Sequence, residues 1–343
     1  MRLQNMITVV GVHAEGEVGR VIIGGVIAPR AGSMFECQAA LQRNQDWLRE
    51  MLLSDPRGSV NAAVNLVTPP IDPAADCGMI VIESDYYPPM SGSNLICTVT
   101  AVLETGMLAM VEPVTELCVD TPAGLVRVRA ECIDGKCRRV SFRNVPSFVM
   151  HSQRAIEING MGTVIVDVAY GGMIYVIVSA EAQGFRLDRS EARQLVEMGE
   201  RIKLAAAEQL PAVHPENPDI RTINQTLFAG PVTVSQGIKS AKNAVIVSPG
   251  RLDRCPCGTG SSARLALMHS RGELSIQETF IHKSILDTEF RCRIEAATKV
   301  GGAGAVIPNI SGRAWLTGIS HYGVDPEDPF PRGYRLNDTW FSC

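Results

Sequence analysis

The sequence predicts an α+β fold of two similar halves, each a curved β-sheet or barrel around a central helix. β-Branched, strand-like runs dominate the 343 residues, and helical patterns are few. Two short segments, 89–94 and 253–263, each place a nucleophile-type side chain before a small-residue turn and a helical run. Ser91 and Cys257 hold the equivalent places in these two segments. The recurrence of the pattern, once in each half of the chain, indicates an internal duplication.

The repeat extends beyond the two turns. Gly106 follows Ser91 at the same distance along the chain at which Gly272 follows Cys257. Two matching turns, one in each half, are expected to face two reactive groups across one cleft. Such an arrangement suits chemistry on both faces of a carbon atom.

The chain is long enough for two domains of about 150–190 residues. Polar residues interrupt the strand pattern near 147–162, so the predicted halves are 1–157, carrying Ser91, and 158–343, carrying Cys257. The C-terminal tail, from about 312 to 343, is expected to pack back on the first half.

The individual elements follow from periodicity and from turn residues. Ser190 is the predicted N-cap of one helix, and the turn between Cys132 and Cys137 predicts a hairpin with these thiols side by side. Helices are predicted at 37–53, 95–110, 191–210 and 262–269. Strands are predicted at 21–27, 79–83, 125–130, 140–142, 163–168, 173–178 and 244–247.

Composition excludes several classes of function. The net charge is −4 and no basic cluster occurs, so nucleic acid is not an expected partner. The opening residues 1–17 match neither a signal peptide nor a membrane span, which predicts a cytoplasmic protein without a membrane partner. Ten cysteines are far too few for a disulfide scaffold, and they are expected to be mostly reduced.

Cys257 is the first candidate for chemistry. A thiol at a helix start feels the positive end of the helix dipole, which is expected to lower its pKa. Backbone N–H groups of Gly258, Thr259 and Gly260 are expected to be uncovered and to hold a carboxylate beside it, and Asp253 can receive an amine. The alternative is a helix cap with a buried cysteine.

Ser91 is the second candidate, in the matching position. A serine hydroxyl has a far higher pKa than a thiol, so it is a poor base alone, but it can relay a proton or hydrogen-bond a leaving group. Gly92, Ser93 and Asn94 offer the matching backbone donors. The alternative is an ordinary turn that caps a helix.

Neither a metal nor an organic cofactor is expected. Cys255 and Cys257 lie close in sequence, but no second cysteine or histidine pair stands at ligand spacing. The glycine-rich segment 301–304 lacks the lysine of a phosphate-binding loop and the spacing of a dinucleotide fingerprint.

The motifs resemble those of the proline racemase family, which includes 4-hydroxyproline 2-epimerases and trans-3-hydroxy-L-proline dehydratases. Residues 253–260, Asp-Arg-Cys-Pro-Cys-Gly-Thr-Gly, are similar to its Asp-Arg-Ser-Pro-Cys-Gly-Thr-Gly motif. Residues 90–93, Met-Ser-Gly-Ser, resemble its Met-Cys-Gly-His motif with two changes. Residues 12–21 and 310–330 resemble the family's opening strand and C-terminal end, so the resemblance spans nearly the whole chain.

The resemblance implies a diaminopimelate-epimerase-like fold with two pseudo-symmetric halves. It further implies a small-molecule substrate, hydroxyproline, and no cofactor, and it is compatible with a homodimer. It also implies that Ser91 and Cys257 are the paired acid/base residues. The substrate contacts that it implies are Gly92, Ser93, Asp253, Gly258 and Thr259.

The serine in place of the first family cysteine favours a lyase that dehydrates trans-3-hydroxy-L-proline to Δ1-pyrroline-2-carboxylate, with 4-hydroxyproline epimerisation as a side activity. In that substrate the hydroxyl and the α-hydrogen share one ring face, so a single residue can serve elimination, whereas epimerisation needs working groups on both faces. The alternatives are a 4-hydroxyproline 2-epimerase, an isomerase, and an inactive amino-acid-binding homologue. Which of Ser91 and Cys257 removes the proton stays open.

Overall fold

The computed structural model describes residues 3–247 and 250–340. The chain divides into two compact units, Met1–Phe142 with Gly312–Cys343, and Arg143–Ser311. The first stretch of the first unit therefore ends at Phe142, earlier than the predicted boundary at 157/158. The cause is one long strand, Ser147–Ile158, which pairs antiparallel with the strand that follows it in the second unit. Cys343, to which the sequence assigns no role, lies outside the described residues.

In its described residues the first unit is mainly antiparallel sheet, with three helices. Its C-terminal strand, Ala314–Val324, pairs antiparallel with the first strand of the chain, Gln4–Ala14, which places this late segment in the unit of the N terminus. The helices are α1 (Met34–Gln45), α2 (Trp47–Leu53) and α3 (Gly92–Glu104). The strands are β1 (Gln4–Ala14), β2 (Glu17–Gly24), β3 (Ala62–Thr68), β4 (Cys77–Ile82), β5 (Val114–Thr121), β6 (Gly124–Ile133), β7 (Lys136–Arg143) and β20 (Ala314–Val324).

Where the structure describes it, the second unit contains the α-helices α4 (Ala192–Gln209) and α5 (Gly258–Ser270), and 3₁₀ turns at Glu181–Gln183 and Arg189–Glu191. Its main apolar core lies between α4 and the sheet. The strands are β8 (Ser147–Ile158), β9 (Gly162–Tyr170), β10 (Ile174–Ser179), β11 (Val213–His214), β12 (Asn217–Arg221), β13 (Gln225–Ala229), β14 (Thr233–Ser235), β15 (Ile238–Val247), β16 (Arg251–Leu252), β17 (Thr279–Lys283), β18 (Glu289–Val300) and β19 (Ala303–Gly312).

Each unit has one central helix that its strands surround. The α3 helix packs on β1, β2, β3, β4 and β20, and the α5 helix packs on β8, β9, β10 and β18. Both helices have 13 residues, and all but the last one or two residues of each are buried. They begin directly after Ser91 and Cys257, so the repeat of the two motifs is also a repeat of the two helices. The predicted α+β class with a central helix in each half is confirmed.

The two central helices also end alike. Gly106 and Gly272 follow the last helical turns, and both have a φ of 72°, the left-handed conformation that glycine adopts without steric cost. The glycine repeat seen in the sequence is therefore a repeat of the helix stop. The prediction that the first of these helices runs to residue 110 is wrong, because α3 ends at Glu104 before this left-handed turn.

Three other local predictions had different outcomes. The helix expected at 37–53 is two helices that meet at Asp46. The prediction that Ser190 caps α4 is wrong: Asp188 accepts the backbone N–H of Ser190, and a 3₁₀ turn precedes the helix. The hairpin is confirmed, since Cys132 and Cys137 are direct partners on β6 and β7.

No helix in residues 3–247 and 250–340 is long and apolar enough to cross a membrane. The cytoplasmic location stays a prediction.

Candidate active site

Cys257 stands at the N-cap of α5 in a strained backbone conformation. Its φ of 64° and ψ of 112° lie in a region that residues other than glycine rarely occupy. The conformation turns the side chain back over the helix start, where the backbone N–H of Gly260 donates to Sγ at 3.3 Å. The hydroxyl of Tyr175 on β10 lies 3.3 Å from the same sulfur and 2.6 Å from Oγ1 of Thr259.

The predicted lowering of the Cys257 pKa is wrong for the protein without substrate. Burial raises the pKa of this thiol, since only 6% of the residue is exposed, and the nearby Asp253 carboxylate raises it further. The hydrogen bonds from Tyr175, Gly260 and Thr259 act in the opposite direction but are outweighed. The resting form at neutral pH is therefore the thiol, because desolvation exceeds the stabilisation that the helix start supplies.

Asp253 lies buried just before the turn, next to a second thiol. Its Oδ1 accepts the backbone N–H of Cys255 and the thiol of Cys255, both at 3.2 Å. The sulfur of Cys255 in turn accepts the backbone N–H of Cys257 at 3.3 Å. Cys255 therefore ties the carboxylate to the turn, and among the described residues no cluster of side chains suited to a metal ion includes it.

Ser91 occupies the N-cap of α3 in an ordinary extended conformation, with φ −146° and ψ 126°. Its side chain accepts no backbone N–H of the helix. Instead the side-chain amide of Asn94 donates to Oγ at 2.9 Å. The hydroxyl is only partly buried, while Gly92, Ser93 and Asn94 behind it are buried.

Asn94 is itself held by buried polar packing. The side-chain amide of Asn65 on β3 donates to Oδ1 of Asn94 at 3.0 Å. Gly19 on β2 makes room for this contact, because a Cβ there would lie 2.7 Å from Oδ1 of Asn94 and 2.9 Å from Sγ of Cys97. Three elements of the first unit therefore fix the amide that points at Ser91.

Both helix starts present backbone donors. The first N–H groups of a helix have no partner within the helix and attract an anion. At α5 these groups include Gly258 and Thr259, and at α3 they include Gly92 and Ser93. Each motif is thus assembled within its own unit, and the joint action of Ser91 and Cys257 stays a prediction.

Two contacts escaped the sequence analysis. Tyr175 lies in the apolar run of β10, where a tyrosine is indistinguishable from a core residue. For Asn94 the sequence indicated only a backbone donor, and the partner of its side chain, Asn65, is 29 residues away in sequence. The polar tips of these residues in buried positions are the one available signal, since buried polar groups need partners.

Comparison with known proteins identifies the family. A family model described as proline racemase matches residues 9–335. A hydroxyproline epimerase from Agrobacterium vitis, solved with bound trans-4-hydroxy-L-proline, is 36% identical, with a TM-score of 0.90 over 99% of this chain and 97% of that one. A probable proline racemase from Agrobacterium radiobacter K84, solved with bound carbonate, is 38% identical, with a TM-score of 0.89 over 97% of this chain and 98% of that one.

A more distant likeness concerns the fold alone. A PhzF-family phenazine biosynthesis protein from Bacillus anthracis is 12% identical, with a TM-score of 0.58 over 94% of this chain and 99% of that one. This likeness agrees with the central helix found in each unit, and it confirms the predicted diaminopimelate-epimerase-like fold. The family model covers residues 9–335, which include both motifs and nearly the whole chain, so the chain belongs to the proline racemase family.

Proposed function

We propose that the protein is a hydroxyproline 2-epimerase that works without a cofactor and acts on trans-4-hydroxy-L-proline. The observation that carries the proposal is the likeness to the Agrobacterium vitis hydroxyproline epimerase, whose structure holds that compound. The serine at position 91 favours dehydration, whereas the comparisons favour the isomerase alternative. The retained thiol and carboxylate of the second motif argue against an inactive homologue.

In the proposed reaction Cys257 removes the α-proton and Ser91 delivers a proton to the opposite face. The Cα–H bond breaks, the proton passes to the Cys257 thiolate, and the electron pair moves into the carboxylate as an enediolate. A new Cα–H bond then forms with the hydroxyl proton of Ser91. The products are the D-configured epimer and an enzyme whose two groups have exchanged protonation states, which must be reset before the next turnover.

In this proposal substrate binding lowers the pKa of the Cys257 thiol, which then loses its proton to solvent. Burial and the Asp253 carboxylate hold the pKa of Cys257 high in the free protein. The ring nitrogen of hydroxyproline is cationic, and its place in this proposal is beside Asp253. Such a cation cancels the contribution of the carboxylate and lowers the thiol pKa when the substrate is present.

The substrate carboxylate is assigned to the backbone donors of the two helix starts, Gly92, Ser93, Gly258 and Thr259. Charge accumulates on this carboxylate as the proton leaves, so donors already in place stabilise the transition state more than the ground state. The positive ends of α3 and α5 add to this effect.

Dehydration of trans-3-hydroxy-L-proline is the second candidate, and Ser91 favours it. The amide of Asn94 donates to the Ser91 oxygen, which leaves the hydroxyl to act as a donor rather than as a base. Elimination needs a strong base on one ring face only, so a serine on the other face suffices. Epimerisation requires in addition that the Ser91 hydroxyl transfer a proton to the α-carbon.

The test is a substrate comparison in deuterium oxide. The purified protein is incubated with trans-4-hydroxy-L-proline, trans-3-hydroxy-L-proline and L-proline. Optical rotation, α-deuterium content and Δ1-pyrroline-2-carboxylate are then followed. We expect the highest kcat/KM for inversion of the 4-hydroxy compound. A higher kcat/KM for dehydration of the 3-hydroxy compound would replace the isomerase assignment with the lyase.

Ser91→Cys sharpens the same comparison. It restores the thiol pair found in the family motif and is expected to raise the ratio of epimerisation to dehydration, because a thiol exchanges protons with carbon more readily than a hydroxyl. Absence of α-deuterium exchange with all three compounds would refute both enzymatic assignments.

A further inference from the structure

The hydroxyl of Tyr175 has no assigned part in this chemistry, yet it lies directly against the Cys257 sulfur. Tyr175 is 2% exposed and belongs to a small buried cluster with Cys257, Leu227 and Ala263. Its ring fills this cluster as a phenylalanine ring would. What phenylalanine would lack is the oxygen that lies 3.3 Å from Sγ of Cys257 and 2.6 Å from Oγ1 of Thr259.

The direction of these hydrogen bonds depends on the charge of the sulfur. A thiol can donate to the tyrosine oxygen, but a thiolate can only accept. Three donors lie near the sulfur: the Tyr175 hydroxyl and the Gly260 N–H, both at 3.3 Å, and the Thr259 hydroxyl at 3.8 Å. Because the Tyr175 contact is shorter than the Thr259 contact, we take the Tyr175 hydroxyl to donate to the thiolate. The single proton of the Thr259 hydroxyl then goes to the Tyr175 oxygen.

We propose that Tyr175 is a positioning residue that fixes the Cys257 side chain and stabilises its ionised form through a chain of donors, Thr259 to Tyr175 to Cys257. The inference rests on the proposed function for its catalytic consequence only. The hydrogen bond from Tyr175 acts to lower the thiol pKa, which agrees with donation from Tyr175 to the sulfur. Burial strongly disfavours the thiolate, so the donors that oppose it, the Tyr175 hydroxyl and the Gly260 N–H, determine how much thiolate the site can form.

The geometry of the cap makes this contact specific. Cys257 is held at a φ of 64°, so its side-chain direction is set by the turn and not by free rotation of an extended backbone. Tyr175 is the second residue of β10, and it is paired on both sides, with Ala169 of β9 and with Gln225 of β13. A rigid strand therefore carries the donor, and a strained turn carries the acceptor.

The experiment measures Cys257 directly and needs no substrate. Wild type, Tyr175→Phe and Thr259→Val are treated with iodoacetamide between pH 7 and pH 9, and the modified Cys257 peptide is quantified by mass spectrometry. Loss of one hydrogen bond to a charged group raises the thiol pKa by about one unit. A higher pKa lowers the thiolate fraction about tenfold, but the more basic thiolate is also more nucleophilic. The net expectation for Tyr175→Phe is therefore alkylation about threefold slower. Thr259→Val is expected to shift the rate in the same direction by less.

Tyr170→Phe is the matched control. It removes a hydroxyl from another buried tyrosine of the same unit, whose ring packs on Phe148 and His214 and not on Cys257. Its alkylation rate is expected to equal that of wild type. An unchanged or faster rate in Tyr175→Phe overturns the inference, as does an equal slowing in Tyr170→Phe, which would indicate a general packing effect.

Failure of the proposed function gives a different pattern. If wild type neither inverts nor dehydrates any hydroxyproline but Tyr175→Phe still slows alkylation, the function is wrong and the inference about Tyr175 stands. If wild type is active, Tyr175→Phe is expected to lower kcat about tenfold with little change in KM, since the substrate contacts remain. If wild type is active but Tyr175→Phe is alkylated at the wild-type rate, the inference about Tyr175 is rejected and the proposed function stands.

Discussion

Ser91 and Cys257 stand at the starts of two helices of equal length, but the two helix starts are built differently. Ser91 has an extended backbone, is partly exposed and receives a side-chain amide from Asn94. Cys257 has a strained backbone and is buried; its sulfur accepts a backbone N–H and lies in hydrogen-bond contact with a tyrosine hydroxyl. The duplication thus preserves the helices and their stops, whereas the groups around the reactive atoms have diverged.

This difference has a chemical consequence. The serine oxygen is supplied with a donor, which favours its action as an acid. Burial and the nearby Asp253 carboxylate hold the pKa of the Cys257 thiol high. In the proposed function a cationic substrate lowers that pKa, so ionisation at the second motif is coupled to substrate binding. The first motif needs no such control, because the Ser91 hydroxyl is already protonated when the substrate binds.

The largest expected effect separates the two groups by deletion. Cys257→Ala should lower both epimerisation and α-deuterium exchange at least about a thousandfold, because the proton acceptor is lost. Ser91→Ala should abolish inversion but retain exchange into recovered L-configured substrate. Cys118→Ala, which removes a partly exposed thiol of the first unit, serves as the control for cysteine loss. Exchange by Cys257→Ala and none by Ser91→Ala would reverse the assigned roles.

The next prediction tests the coupling of ionisation to substrate binding. Asp253→Asn removes a charge that raises the Cys257 pKa, so the thiolate fraction at a fixed pH should rise and alkylation should become about threefold faster. The same change removes the proposed partner of the substrate nitrogen, and kcat/KM should fall about a hundredfold. Faster alkylation of Cys257 combined with a lower kcat/KM in this variant would support the coupling of ionisation to substrate binding. Slower alkylation in this variant would mean that Asp253 acts on Cys257 through structure and not through charge.

The sequence was informative where a local pattern determines structure. The two helices and the Cys132–Cys137 hairpin depend on neighbouring residues and were predicted, although the first helix was wrongly extended past Gly106. The pKa of Cys257 was predicted in the wrong direction, because burial is a property of the folded unit and the helix dipole was the one effect visible in the sequence. Tyr175 lies 82 residues from Cys257 in the chain, and no spacing rule relates a strand tyrosine to a distant helix cap.

The third prediction concerns the support of Ser91. Gly19→Ala would place a Cβ within 3 Å of Asn94 Oδ1 and Cys97 Sγ, so the Asn94 amide must move or the strand must shift. Overpacking of this kind costs about 1–3 kcal/mol of stability. Inversion should weaken more than α-exchange, since the disturbed group belongs to the serine side.

Gly24→Ala is the control on the same strand, because its Cβ would meet its nearest neighbour at an ordinary 3.8 Å. It should leave the ratio of inversion to exchange unchanged. If Gly19→Ala changes stability but not that ratio, Asn94 does not position Ser91 for proton delivery.

The smallest effect tests whether the repeat extends to stability. Gly106→Ala and Gly272→Ala each place a Cβ in open space, with no atom within 4 Å, but at a φ of 72°. The cost is therefore the left-handed backbone alone, about 1 kcal/mol in each case. Both variants should lower the urea midpoint of unfolding by the same small amount and leave turnover intact, because both glycines lie at the far ends of their helices from Ser91 and Cys257. A large loss in one variant and none in the other would show that the two helix stops, alike in conformation, differ in what depends on them.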